Sequence, residues 1–288
     1  MKILITGKNG QLGAELHDLQ RDYPQHQMIF VGREEMDLSD SGKINEVLNL
    51  IKPEIIINAG AYTAVDKAET EQDLCDSINH RAVETIGQWA ATHHAKVIQI
   101  STDYVFDGNS STPLKEDDQI NPINIYGCTK LKGEQALKAS KADYIIIRTA
   151  WVYSVYGANF VKTMLRLMNE RSEIGVVSDQ IGTPTYAKDL AKVIMDIVSA
   201  PKFIQGIYHY SNEGTISWYD FAVAIKEIKG FSIKINAISS DAFPTPAKRP
   251  NFSLLDKTKI KETYKIAVPN WRKSLEEMLD VLEVNKGK

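Results

Sequence analysis

Tyr126 and Lys130 stand four residues apart in IYGCTKLKGE (125–134), a stretch with helical character, so both fall on one helix face. A free phenol has a pKa of about 10 and is a poor base at neutral pH. An ammonium beside it favours phenolate, so the spacing predicts a tyrosine pKa lowered toward the working range. Thr102, in ISTDYVFDG, offers a hydroxyl to share the hydrogen bond to a substrate carbonyl. The chemistry that suits this trio is proton delivery to a ketone oxygen while hydride arrives at its carbon. Tyr126, Lys130 and Thr102 are therefore the candidate catalytic group. Cys128, two positions from Tyr126, points off the shared face and reads as a packing residue.

Hydride needs a source, and the N-terminus supplies a place for one. The apolar run KILIT (2–6) leads straight into GKNGQLG, with Gly7, Gly10 and Gly13, and an amphipathic segment follows. Glycines allow a tight turn and let a pyrophosphate approach the backbone, while a helix N-terminus offers free N–H donors. About 20 residues past such a loop an acidic side chain would hold the ribose 2′-hydroxyl of NAD. Here the second strand ends in VGREE. Arg33 is a candidate partner for a 2′-phosphate, which tilts the cofactor toward NADPH; Glu34 would serve NADH, the alternative.

These residues must be held by something. Short apolar runs at 2–6, 28–32, 54–59, 96–102 and 143–149 alternate with helical segments at 10–21, 44–52, 78–94 and 125–140. Strands rich in Ile and Val without polar alternation suit a sheet covered on both faces. The pattern predicts an α/β fold, a doubly wound parallel sheet of Rossmann type. Further helices are expected at 160–171, 187–200, 217–230 and 274–284, the last opened by a capping box of Ser274 and Glu277. A boundary near residue 150 divides a dinucleotide-binding domain (1–150) from a smaller α/β substrate region (151–288), some of whose segments return to the first domain. Prolines 244, 246 and 250 mark a loop.

Composition narrows the function. The chain has 288 residues, 43% hydrophobic and 25% charged, with a net charge of −3. That balance points away from nucleic acid and acidic lipid as partners. Cys75 and Cys128 form no CxxC, so neither a disulfide framework nor a zinc site is expected. Nothing resembles a signal peptide or a membrane span, so the expectation is a soluble, cytoplasmic enzyme.

The G-x-x-G-x-x-G spacing is similar to that of the extended short-chain dehydrogenase/reductase superfamily. More specifically, STDYVFDG, NPINIYGCTKLKGE, RTAWVYS, GANFVKTMLRL, SDQIGTPTYAKDLA and KRPNFSLLD resemble the dTDP-4-dehydrorhamnose reductase family over nearly the whole chain. That resemblance implies reduction of the C4 ketone of dTDP-4-dehydro-L-rhamnose to dTDP-L-rhamnose, with Tyr126 as proton donor. It implies that Gly10, Gln11 and Leu12 hold the pyrophosphate and that Asp37 and Leu38 flank the adenine. Ala61, Tyr62 and Thr63 would line the cofactor, and Tyr126 and Lys130 would meet the nicotinamide ribose. Thr102, Asp103 and Tyr126 would contact the sugar, with Trp151 packed against it. Tyr104 stands where nucleotide-sugar dehydratases carry a second acid, which favours plain reduction. Arg249, in KRP, is the candidate for the substrate diphosphate, and Gln180, Gly182, Pro184 and Thr185 resemble the turn beside the substrate. A homodimer is compatible with the family. Some members bridge a dimer with magnesium, but Lys188 and Lys192 crowd that region, so no metal is expected. Two alternatives remain: a reductase of another nucleotide 4-keto sugar, and a non-catalytic NADP-binding subunit of the methionine adenosyltransferase regulatory type.

Overall fold

The structure, a computed structural model, describes residues 1–286. Strand β1 (Lys2–Thr6) is followed by helix α1 (Gln11–Leu19), β2 (Gln27–Val31), α2 (Ser41–Ile51) and β3 (Ile55–Asn58). Asp40 ends the loop before α2 by accepting from the Gly42 and Lys43 N–H groups, a side-chain N-cap. Two short helical turns and a π turn (Ser77–Arg81) lead into α3 (Ala82–His93). Then come β4 (Lys96–Thr102), α4 (Ile125–Ala139) and β5 (Asp143–Thr149). The remainder holds α5 (Phe160–Glu170), β6 (Glu173–Val177), α6 (Ala187–Ser199), β7 (Gly206–His209), α7 (Trp218–Lys229), β8 (Lys234–Ile238) and α8 (Trp271–Lys286).

Six strands form one sheet in the order β7-β5-β4-β3-β1-β2, every pair parallel. Its rows are isoleucine-rich because helices cover both faces. Ile3, Ile5, Ile57, Ile98 and Ile145 pack under α1 and α6, while Leu4, Ile56, Val97 and Ile146 pack under α2 and α3. Leaving β1, the chain first moves outward to β2 and then returns past β1 to β3. That reversal opens a crevice at the carboxyl ends of β1 and β3, the place where such sheets bind ligands.

A separate core in the second half joins Tyr153, Phe221, Trp271 and Met278 across α5, α7 and α8. Two segments of that half lie with the first sheet instead: α6 packs on α1, and β7 pairs with β5.

One expectation fails. Ser274 and Glu277 form no capping box, because α8 begins three residues earlier at Trp271 and Asn270 accepts from the Arg272 N–H. Ser274 donates to Asp189 at 2.6 Å and Glu277 pairs with Lys188 at 2.6 Å. A capping box does occur at Ser217 and Asp220, opening α7.

Candidate active site

The glycine loop is built by exclusion. Gly7 takes φ +72°, and a Cβ there would sit 2.8 Å from the Gly60 nitrogen, so β1 and β3 meet backbone to backbone. A Cβ on Gly13 would lie 2.1 Å from the Gly7 carbonyl, so only glycine lets α1 start this close to the turn. Gly10 caps α1 without a side-chain hydrogen bond. The backbone N–H groups of Gln11, Leu12 and Gly13 have no acceptor among the described residues. Three free donors at a helix N-terminus, at the switch point of a parallel sheet, fit a dinucleotide pyrophosphate. The Gln11 side chain turns the other way, donating to the Val152 carbonyl at 3.3 Å and accepting from Asn159 at 3.0 Å.

At the end of β2, Arg33 projects into solvent with a side chain 79% exposed, 3.3 Å from Asp37. Asp37 accepts from the Ser39 N–H and hydroxyl, which hold its carboxyl below the usual range. Leu38 approaches Gly60 so closely that a Cβ there would lie 2.7 Å from its methyl carbon. Glu34 is exposed. Glu35, which sequence reasoning passed over, turns back to accept from the Gly32 N–H at 2.8 Å and to pair with Lys8 of the glycine loop.

After β3, Ala61 is half-buried and Thr63 exposed. Tyr62 is pinned by Asn79, which accepts from its N–H at 2.9 Å and donates to its carbonyl at 3.0 Å. Its phenol donates to Glu71 at 2.6 Å. Asn79 reaches this point because it lies in the π turn, a local feature that hydrophobic spacing does not report.

Thr102 ends β4, Asp103 opens the turn that follows it, and the first turns of α4 carry Tyr126 and Lys130 beside them. Asn124 caps α4, accepting from Gly127 at 2.7 Å. The Thr102 hydroxyl donates to Asp103 Oδ1 at 3.0 Å. Asp103 Oδ2 is buried with no partner among the described residues. Burial pushes the Asp103 carboxyl up to about 6, with the nearby Ser253 hydroxyl, another residue not foreseen, opposing. An orphaned buried acceptor at a crevice is a place for a ligand hydroxyl.

The expected lowering of the Tyr126 pKa is not found. Burial pushes the phenol up, Asp103 and Cys75 add to that, and the Thr102 hydroxyl opposes it. Lys130 instead is lowered to about 8 by its own burial, against the pull of Glu134. Its Nζ donates to the Ile100 carbonyl at 2.6 Å. Spacing alone had weighed the neighbouring charge and not the desolvation, which is larger. One turn further along α4, Glu134 accepts both edge nitrogens of Arg148, at 2.9 and 2.8 Å, and the Ser101 hydroxyl at 2.6 Å. This fully buried group fastens the inner face of α4 to β4 and β5.

Trp151 leaves β5 with φ +49° and stacks on Trp218, ring centroids 3.7 Å apart. Gly182 admits it closely, since a Cβ there would lie 3.0 Å from the indole and from the Ser253 hydroxyl. Gln180 and Thr185 are buried. Arg249 is not free: it makes a two-pronged pair with Asp66, at 3.1 and 2.9 Å. Its neighbour Lys248 accepts from Asn124 through its carbonyl at 2.8 Å, which ties this loop to the cap of α4.

A parallel Rossmann-type sheet with a glycine loop at its switch point and a threonine, tyrosine and lysine beside it defines an oxidoreductase of the extended short-chain dehydrogenase/reductase class. The chain belongs to the RmlD substrate binding domain family, whose model matches residues 1–284. A dTDP-4-dehydrorhamnose reductase of Aggregatibacter actinomycetemcomitans is 42% identical, over 95% of this chain and 97% of its own. The crystal structure of a Clostridium acetobutylicum dTDP-4-dehydrorhamnose reductase superposes with a TM-score of 0.93 at 41% identity, covering 98% of this chain and all of that one. The Bacillus anthracis dTDP-4-dehydrorhamnose reductase, solved in complex with NADP, gives 0.92 at 37% identity, covering 96% and 98%.

Proposed function

We propose that this protein reduces the C4 ketone of dTDP-4-dehydro-L-rhamnose to the alcohol of dTDP-L-rhamnose, using NADPH, with NADH as a second donor. The observation that carries the reading is the juxtaposition of Thr102, Tyr126 and Lys130 beside the glycine loop in a chain of this family. The free N–H groups of Gln11, Leu12 and Gly13 would hold the cofactor's pyrophosphate, and residues 1–150 would form most of its binding domain. Bound there, the nicotinamide supplies a hydride equivalent.

The rest falls to this chain's side chains. As C4 becomes an alcohol its oxygen must gain a proton, and Tyr126 Oη holds one. A phenol pushed up by burial stays protonated through the physiological range, which suits a donor to an oxygen that is becoming an alkoxide. Lys130, lowered by burial only to about 8, is still mostly protonated at neutral pH and keeps positive charge one helical turn from the tyrosine as that proton leaves. The unpartnered Asp103 oxygen would accept a sugar hydroxyl, and the Trp151 indole, stiffened by Trp218, would face the sugar's apolar side. Arg249, oriented by Asp66, would meet the diphosphate at the mouth of the 151–288 region. No helix among the described residues is long and apolar enough to cross a membrane, and we place the reaction in the cytoplasm.

The test is oxidation of NADPH with a panel of nucleotide 4-keto sugars. Tyr126→Phe is expected to bind NADPH as wild type does and to lose kcat by at least ~10²-fold. Wild-type turnover in that variant would remove Tyr126 from the role of donor. A wild-type protein that binds NADPH without consuming it would favour the regulatory-subunit alternative.

A further inference from the structure

Between the apolar rows at the centre of the sheet, one row turns polar. Thr6, Asn58 and Gln99 are register partners on β1, β3 and β4, one residue nearer the crevice than Ile5, Ile57 and Ile98. None of the three is more than 2% exposed. Buried polar groups are costly unless paired, and here each is paired with the next. The Gly60 N–H donates to Thr6 Oγ1 at 3.0 Å, and Thr6 Oγ1 donates to Asn58 Oδ1 at 2.6 Å. Asn58 Nδ2 donates to Gln99 Oε1 at 2.8 Å, and Gln99 Nε2 donates to the Ile100 carbonyl at 2.8 Å.

The two ends dictate this direction. A carbonyl only accepts, so Gln99 must turn its nitrogen to Ile100 and its oxygen to Asn58. Asn58 must then present its nitrogen to Gln99 and its oxygen to Thr6, which leaves the Thr6 lone pair for the Gly60 N–H. All donors point one way, so each bond polarises the next. The row ends on the same carbonyl that accepts Lys130 Nζ at 2.6 Å. A row of isoleucines would pack a sheet equally well, as the neighbouring rows do, so packing does not call for amides here.

We propose that Gln99 is a positioning residue for Lys130, with Asn58 and Thr6 bracing it from the glycine-loop side. The Gln99 amide occupies one lone pair of the Ile100 carbonyl and holds that peptide still, which leaves one seat for the ammonium. Held at that carbonyl by one N–H, Lys130 keeps its other two N–H donors for the crevice. The other charged or titratable groups around the lysine are Glu134 on its own helix, already engaged by Arg148 of β5, the Cys75 thiol of the 72–76 helix, and Tyr126 one turn back. The inference rests on the reading of Lys130 as the working lysine.

Two variants test it, Gln99→Met, which keeps length and removes the amide, and Gln99→Glu, which adds a carboxylate. Urea unfolding, NADPH affinity and the pH profile of kcat are measured on both. Gln99→Met is expected to fold, to lower kcat about tenfold or more, and to leave the sugar KM within about twofold. Gln99→Glu is expected to move the alkaline limb of the kcat profile up by about one pH unit, because a carboxylate beside an ammonium favours the charged form. A row that is merely structural would change the urea midpoint alone; wild-type kcat in Gln99→Met with an unmoved limb in Gln99→Glu overturns the proposal. If Gln99→Met does not fold, the position of the limb in Gln99→Glu decides by itself. If the wild-type protein reduces no 4-keto sugar, the functional reading fails separately, and the pH dependence of NADPH affinity in wild type and Gln99→Glu still decides the role of Gln99.

Discussion

A tyrosine with a lysine four residues later is visible in any printed sequence, because helix geometry makes that spacing a shared face. What their pKa values become depends on how much water each keeps, and that is decided by β4, the 72–76 helix and the loops above. Hence the reversal at Tyr126, where burial outweighs neighbouring charge. Arg33 makes the opposite case. It is exposed and only loosely paired with Asp37, so little besides a ligand would compete for it. Arg33→Ala is expected to raise the KM for NADPH about tenfold, the size of one charge-assisted hydrogen bond of ~1.4 kcal/mol, and to leave the KM for NADH unchanged. Equal losses with both cofactors in steady-state kinetics would exclude a 2′-phosphate role.

At the scale of elements, α1 joins the two halves of the site. Its N-terminus faces the crevice, while Gln11, Glu15 and Asp18 along one side reach segment 152–159. Ser154 donates to Glu15 at 2.6 Å and Tyr156 donates to Asp18 at 2.6 Å. Glu15 is 3% exposed, and burial pushes its carboxyl up to about 7, with Asp18 and Asp189 adding and Ser154 and Lys188 opposing. A carboxyl whose pKa is raised by folding holds its proton more tightly in the folded state. Its contribution is therefore present below the unfolded value of 4.5 and is lost as pH rises through about 7. Glu15→Gln removes that penalty. The variant is expected to be more stable than wild type at pH 8 by roughly 2–3 kcal/mol, and indistinguishable from it near pH 4. Urea midpoints at the two pH values check this, and a pH-independent difference would mean that Glu15 is ionised at no cost.

On the scale of the whole molecule, the two cores are interlocked by chain path. Helix α6 and strand β7 come from the second half yet cover the sheet of the first. A fragment of residues 1–150 would strip α6 from one face of that sheet, leaving α1 alone over Ile3, Ile5, Ile57, Ile98 and Ile145, and would make β5 an open edge. That fragment is expected to show no cooperative urea transition, whereas the full chain should unfold in a single step. A sharp transition in the fragment would show that the dinucleotide-binding part stands alone. The Arg148–Glu134 pair strengthens the expectation, since buried charges tolerate no loosening of β5 against α4.

Local order was readable from the chain alone: five apolar strands, the helices between them, the glycine loop and the Tyr126–Lys130 face, because each depends on neighbours within a few residues. Even there boundaries moved, as at α8, where Asn270 and not Ser274 caps the helix. Only the tertiary structure decided which distant groups meet: Asp66 with Arg249, Glu35 with Lys8, Asn79 with Tyr62, and the row from Thr6 to Gln99. A trace of the last was present, since Gln99 interrupts the apolar strand KVIQIST and Asn58 ends IIIN. The partner of a buried polar residue is set by strand register, which packing of the whole sheet determines and no short stretch of chain contains.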